Sequence, residues 1–374
     1  MKGPPCGQAA ASAEAIGRFT GVTGSAAPVA LSGPAQQVAR DLGLGEQHAS
    51  WLAELDAVAP EELPAERLTP TVAGPLLERL GCNAQAVEEA TANLPDRERT
   101  PALWWVLERS RRRLVETMGD SRLRVGREWP PLPPALGAAA RCFSLHLFAA
   151  TVPDTRRHHA SWGVPDDVSW ATLADLGRHQ RIAWRSSGAV GVDAPWWVLL
   201  HLRSRLLEVG RLQYVPYRMV VDPEHPSTWY DADELRRLGE GFRAGDAALD
   251  VHIPEGDALD PAACGDSLRR ARDLFERLDP SPVRRIATCS SWLLDPQLAD
   301  YLPDEANIIR FQRRFRLAPG WVEGDGPVLD FVFRNRGDDP DGPPRTRLQR
   351  IVAEHLSGGH HFHWRSGWID LTTA

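Results

Sequence analysis

Cysteine is scarce and scattered in this chain. Cys6, Cys82, Cys142, Cys264 and Cys289 are odd in number, widely spread and without a Cys-x-x-Cys pair. That excludes a disulfide framework and a zinc knuckle. Long apolar runs are missing too: none approaches the roughly 20 residues needed to span a bilayer. The first residues, MKGPPCGQAAASAEAIGRF, lack the long apolar segment of a secretion signal. A cytoplasmic location with no membrane partner is therefore expected. Nor is there an excess of positive charge. The net charge is −7 and the pI about 6.0, which gives no global attraction to nucleic acid or an anionic membrane. Tyrosine is rare beside tryptophan, 4 against 14, and the 43 basic residues are nearly all arginine. That bias points to a GC-rich genome more than to a function.

What is present is ordinary soluble-protein composition over 374 residues, enough for two domains or one large one. Residues 1–35, rich in Ala, Gly, Pro and Ser, read as a disordered leader. From there to about Arg127 the pattern is helical, in short amphipathic pieces separated by Gly and Pro, with a stronger helix starting at Thr100-Pro101. EWPPLPP, 128–134, is a proline-rich connector. A second helical stretch covers 135–209. It contains Trp196-Trp197-Val198-Leu199, an echo of Trp104-Trp105-Val106-Leu107 that reads either as an old duplication or as coincidence. Strands are expected only after Gly210, starting with GRLQYVPYRMVV, where Pro216 argues for an edge or a bulge.

The chain is organised around residues 247–315. AALDVHIPEG reads as a strand with Leu249, Val251 and Ile253 on one face and Asp250 and His252 on the other. Asp260-Pro261 is a helix start, and Leu268, Ala271, Leu274, Phe275 and Leu278 form the apolar stripe of the helix that follows. VRRIATCSSWLLDP is a second strand ending in small polar residues, Thr288 to Ser291. NIIRFQRRFRL, 307–317, alternates as a third, and VLDFVFRN, 328–335, reads as another. TRLQRIVAEHLSGG is a helix capped by Gly358-Gly359, and HFHWRSGWIDL is a last strand. Strand, helix, strand, then antiparallel-looking strands make an α/β or α+β core, with a polar cluster where open sheets place ligands.

HIPEG (252–256), CGDSLRRA, CSSWLLDPQLADYLP and NIIRFQ, together with GRLQ (210–213) and TRLQR (346–350), resemble the bacterial acyltransferase-domain proteins. Those pair a helical N-acyltransferase N-terminal domain with a GNAT-like C-terminal domain. The resemblance is strong over 210–370 and carried by helical pattern over 36–165. It implies a helical domain at 36–165 and, at 166–374, a GNAT-like mixed sheet flanked by helices. It also implies transfer of an acyl group from a thioester, on CoA or an acyl carrier protein, to a small-molecule or peptide amine. The usual pyrophosphate signature, Gln/Arg-x-x-Gly-x-Gly/Ala, is absent, and GDALDPAACGDS (256–267) stands in its place.

The candidate site residues carry two readings each. His252, on the polar side of a strand just before a turn, is either the general base for the attacking amine or a strand-end hydrogen-bonding residue. Cys289 is a covalent acyl carrier, a proton donor to the departing thiolate, or a buried filler; Ser290 is the alternative proton donor. Gly256, Gly265, Ser267, Arg269 and Arg270 surround a helix start that could cradle donor phosphates, opposed by Asp257, Asp260 and Asp266. Trp292, Asp295 and Asn307 flank the substrate side; Asp295 alternatively caps the helix begun by Pro296. His360, His361 and His363 lack the accompanying acidic or thiol ligands of a metal site, so no metal is expected. Three functions follow: direct acyl transfer in a ternary complex, a non-catalytic binding protein on the same fold, and acyl transfer through Cys289.

Overall fold

The computed structural model describes residues 30–59, 61–120, 129–219, 245–280, 284–333 and 343–373. It divides into two compact units between Glu208 and Val209. The leader expected for 1–35 lies outside the described residues as far as residue 29, and the first helix already begins at Gly33.

The helical unit runs through α1 (Gly33–Asp41), α2 (Ala49–Asp56), α3 (Pro70–Arg79), α4 (Ala84–Ala92), α5 (Pro101–Glu116), α6 (Ala138–Trp162), α7 (Asp166–Leu173), α8 (Asp175–Ser187) and α9 (Pro195–Leu202). Proline opens α3, α5 and α9, where its missing N–H would have had no intrahelical acceptor anyway. The axis of the unit is α6. Phe143, Leu145, Leu147, Phe148, Ala150 and Val152 are buried around its whole circumference, so it has no solvent stripe. Its one buried carboxylate, Asp154, is held by Arg67 at 2.6 Å, by Arg111 at 2.9 Å and by Arg157. A buried charge of this kind survives because its ionic partners replace the lost water.

The sequence boundary at 165/166 moves to 208/209, because α7 to α9 fold with the helices before them. Trp170 on α7 is sandwiched between the guanidinium groups of Arg79 and Arg156, 3.5 and 4.2 Å from its ring centre. Gly177 on α8 approaches the end of α3 so closely that a Cβ there would lie 2.3 Å from the Gly81 carbonyl carbon. The repeated Trp-Trp-Val-Leu motif lies in the first turns of both α5 and α9, but α9 stops after 8 residues where α5 runs for 16.

The second unit holds the sheet. Its strands are β1 (Leu207–Val209), β2 (Leu212–Arg218), β3 (Ala247–His252), β4 (Ile286–Ser291), β5 (Arg316–Glu323) and β6 (His363–Asp370), in the order β1-β2-β3-β4-β6-β5. Only β3 and β4 are parallel; β2–β3, β4–β6 and β5–β6 are antiparallel. The sheet is thus mixed, as expected, with its first strand slightly earlier than Gly210. Pro216 is tolerated on β2 because β1, at three residues, leaves that end of β2 as an edge. The parallel pair is joined by α10 (Pro261–Leu278), which starts with Asp260 accepting from Ala263 N–H at 2.8 Å and buries Leu268, Ala271, Leu274 and Phe275.

Two expected strands are helices. Residues 307–312 form α11 (Asn307–Gln312), and 325–333 form α12 (Asp325–Phe333), which packs on α13 (Arg347–Ser357). In the first case Ile309, Phe311, Gln312 and Phe315 satisfy a helical spacing as well as an alternating one. Burial of Gln312, whose amide donates to Leu293 O at 2.8 Å and Asp295 O at 2.7 Å, decides for the helix. In the second, Val328 and Val332 meet Ile351 and Val352 one turn at a time. Among the described residues no helix is long and apolar enough to cross a membrane.

Two core histidines make the helical unit acid-sensitive. Burial pushes the pKa of His146 down to about 4, its Nε2–H donating to Ala90 O at 2.9 Å, and that of His159 down to about 3 beside Ser169. A histidine whose folded pKa lies below its unfolded value near 6.5 contributes stability that is complete above that value and is lost as pH falls. Between pH 6.5 and 4, His146 should cost about 3 kcal/mol of stability, and His146→Gln should flatten that part of the curve. Urea midpoints measured across this range test it; a wild-type midpoint that does not move would refute the neutral buried state.

Candidate active site

The faces of the sheet follow from register. Asp250 pairs with Thr288, Gln213 with His252, Val215 with Asp250 and Ser290 with Ser366. Residues opposite one another share a face, so Gln213, Asp250, His252, Thr288, Ser290 and Ser366 all lie on one side. Leu249, Val251, Ala287 and Cys289 lie on the other, the side that α10 covers, as the 2.8 Å contact of Tyr214 Oη with Ser267 Oγ shows. The first side is polar yet buried: Gln213, Thr288 and Asp250 are 1%, 0% and 6% exposed. Hydroxyl pairs knit it together, Tyr217 with Thr288 at 2.7 Å and Ser290 with Ser366 at 2.8 Å. Within it, His252 Nε2 stands 3.0 Å from Asp250 Oδ2.

This strip borders an opening. The β3–β4 ladder consists of three pairs and ends at Asp250–Thr288. Beyond that point β3 still pairs with β2 as far as His252, and β4 with β6 as far as Ser291. The two parallel strands therefore part at their carboxyl ends, and the carboxyl ends of parallel strands are where open sheets bind ligands.

Cys289 does not belong to this strip. It is 1% exposed on the α10 side, opposite to His252, and burial pushes its thiol pKa up, with Asp250 adding to the effect. A thiol so placed supplies no thiolate near neutral pH. Ser267 is not a cofactor ligand either. Its hydroxyl donates to Val209 O, accepts from Leu212 N–H at 3.2 Å and meets Tyr214 Oη, so it is fully used in fastening α10 to β2. Trp292 is packed in the core beside α11 to α13. Asp295 is fully buried and accepts from the backbone N–H groups of Gln297 at 3.1 Å and His363 at 2.6 Å, which is the capping role. Asn307 opens α11, and nothing among the described residues ties it to the strip.

The loop between β3 and α10 is held by cations the sequence reading did not single out. Arg211 donates to three carbonyls, Pro254 at 3.1 Å, Ala258 at 3.0 Å and Asp257. Gly256, with φ +130°, makes that turn possible. Arg314 donates to Pro261 O at 2.6 Å, and a Cβ on Gly265 would meet the guanidinium groups of Arg314 at 3.4 Å and Arg269 at 3.5 Å. Two guanidinium groups thus converge over the first turn of α10. Arg269 and Arg270 are exposed and pair with Asp266 at 3.5 and 3.9 Å. Arg211 could have been suspected from its place in the GRLQ segment; Arg314 could not, since only the fold brings it to α10.

The histidines near the chain end are occupied locally. His361 Nδ1 is 2.6 Å from Asp325, whose carboxylate raises its pKa, and His363 stacks on Trp321. Among the described residues no group of His, Cys, Asp or Glu is arranged to hold a metal ion. The helical unit contains a cavity of about 270 Å³ walled by Trp51, Trp129, Phe143 and Trp196, with Arg141 as its charged residue. Arg141 is paired with Glu89 at 2.6 Å. These walls suit an apolar group.

Comparison with known proteins identifies both units. Residues 73–204 match the N-acyltransferase N-terminal domain family and residues 206–369 the GNAT-like C-terminal domain family. Among solved structures, an acyltransferase in complex with CoA and 10C-teicoplanin is 39% identical over 90% of this chain and 99% of that one, with a TM-score of 0.78. An acyltransferase in complex with decanoyl-CoA and teicoplanin, and a tryptophan-to-alanine acyltransferase mutant in complex with octanoyl-CoA, match with the same identity and coverage and TM-scores of 0.77. No curated protein matches.

Two outcomes follow from the placements of Cys289 and Ser267. Peptide mapping after brief iodoacetamide treatment of the native protein should leave Cys289 unmodified, and labelling there would contradict its burial. Ser267→Ala should lower stability by about 1–3 kcal/mol, since a buried N–H and a buried phenol lose their partner together. A denaturation midpoint indistinguishable from wild type would show that the fastening is not needed.

Proposed function

The chain belongs to the acyltransferases that join an N-acyltransferase N-terminal domain to a GNAT-like C-terminal domain, and on that premise we propose that it moves an acyl group from acyl-CoA to an amine by direct attack. The observation that carries this reading is the parting of β3 and β4 beside the His252 strip. A thioester entering there would lie against the parted ends of the two strands. A backbone N–H at the strand edge would then polarise its carbonyl, in the manner of an oxyanion site. Donor phosphates are assigned to the first turn of α10, where backbone N–H groups are joined by Arg269 and Arg314. Arg211 sets the path of the loop leading there.

In the reaction, the amine nitrogen forms a bond to the thioester carbonyl carbon and the C–S bond breaks. The amine proton passes to His252, and the departing thiolate is protonated through the Ser290–Ser366 hydroxyl pair, which regains its proton from the His252 imidazolium. No acyl-enzyme is needed, which fits the buried Cys289. Since similar acyltransferases are bound to octanoyl-CoA, decanoyl-CoA and teicoplanin, medium-chain acyl-CoA donors and teicoplanin are the first pair to try.

The test is release of the CoA thiol from decanoyl-CoA with teicoplanin or other primary amines as acceptor. Cys289→Ala should retain most activity, whereas His252→Ala should lose roughly 10²- to 10⁴-fold in kcat, the usual contribution of a general base. Part of that loss should return as pH rises, because more of the acceptor amine is already deprotonated. A fully active His252→Ala enzyme with a flat pH response would remove His252 from the chemistry. Tight acyl-CoA binding without turnover of any amine would point instead to a binding protein.

A further inference from the structure

Four aspartates are buried among the described residues: Asp154, Asp175, Asp250 and Asp295. Three stand beside a guanidinium group or backbone N–H donors. Asp154 has three arginines, Asp175 has Arg178, His179 and His201, and Asp295 has two backbone N–H groups and the Gln297 amide. Asp250 differs. It sits on β3, between β2 and β4, and among the described residues the one ionic partner within reach is His252, two residues along the same face. A carboxylate taken out of water is expensive, and packing alone would favour an apolar residue at this position. Asp250 is not needed for helix capping or loop closure, since it lies mid-strand. What it can do is hold an imidazole.

We propose that Asp250 is a positioning residue that fixes the orientation and tautomer of His252, keeping the proton on Nε2 so that Nδ1 is the nitrogen that accepts from the amine. This rests on the reading of His252 as the general base. The strand geometry supports it, because residues two apart on a strand project side by side, and β3 is paired on both sides at Asp250. The other side chains in the row with His252 are uncharged: Gln213 on β2, Ser290 on β4 and Ser366 on β6. Arg316, on the same face, stands three strands away from β3 and is stacked on Trp368. When His252 takes the amine proton, the carboxylate stabilises the imidazolium that forms.

Asp250→Asn tests this without changing shape, and two readouts separate it from a structural role. The first is the tautomeric state of the His252 ring, read by NMR from nitrogen–proton couplings in the full chain with labelled histidine, which needs no turnover. Loss of the carboxylate should move the ring proton away from Nε2; an unchanged tautomer overturns the proposal. The second is a double-mutant cycle with decanoyl-CoA as donor and teicoplanin as acceptor. Asp250→Asn should lower kcat with little change in KM. Adding it to His252→Ala should cost nothing further. If the two losses multiply, Asp250 acts independently of His252, and the proposal fails even though the base assignment stands. If His252→Ala is fully active, the base assignment fails, while the ring tautomer still decides whether Asp250 holds the imidazole. Should Asp250→Asn melt well below wild type, Asp250→Ser is measured in its place, with the same expected direction.

Discussion

The sheet unit depends on one limited interaction, the parallel pairing of β3 with β4, which lasts for three residue pairs and then stops. A longer ladder would seal the sheet and leave no backbone groups for a substrate. A missing one would leave α10 without a platform. The pairing is held in place by the crossover helix, and α10 in turn is fastened through the buried Ser267 hydroxyl, which ties it to Val209, Leu212 and Tyr214. A single small polar side chain thus sets the distance between helix and sheet on the closed face. It leaves the opposite face free to carry polar groups.

The polar face carries a cost in stability. Buried Gln213, Thr288 and Asp250 and half-buried Ser290 contribute less to the core than apolar residues of similar size would. Hydroxyl pairing offsets part of that cost for Thr288 and Ser290. Among the described residues the charged neighbour of Asp250 is His252. Buried carboxylates of the helical unit show the contrast: Asp154 with its three arginines is a structural node.

The α10 start handles its charge differently from the usual glycine-rich loop. Asp260 is spent on the N-cap and Asp266 on the exposed arginines. Arg211 draws three loop carbonyls toward itself, and Arg314 arrives from beyond α11. Of the acidic residues that seemed to oppose an anion, Asp266 is matched by arginine and Asp260 by a backbone N–H. Local sequence shows the acids together, whereas Arg211 and Arg314 come from distant segments.

The sequence by itself determined the mixed sheet, the helical first unit, the Asp260-Pro261 helix start and the His252 face, because alternation, helical spacing and capping are local signals. It also placed Asp250 beside His252, two positions apart on one strand. Other features needed the tertiary structure. Cys289 and His252 lie on neighbouring strands at similar heights, and only the register shows that they face opposite ways. The helical state of 307–312 and 325–333 was settled by what packs against them, since short apolar runs satisfy both periods. Gln213, Ser366, Arg211 and Arg314 join the site region from segments far apart in the chain, and no local pattern encodes a pairing of that range. The division at Glu208 likewise follows from where α7 to α9 bury their side chains, a choice made by packing and not by composition.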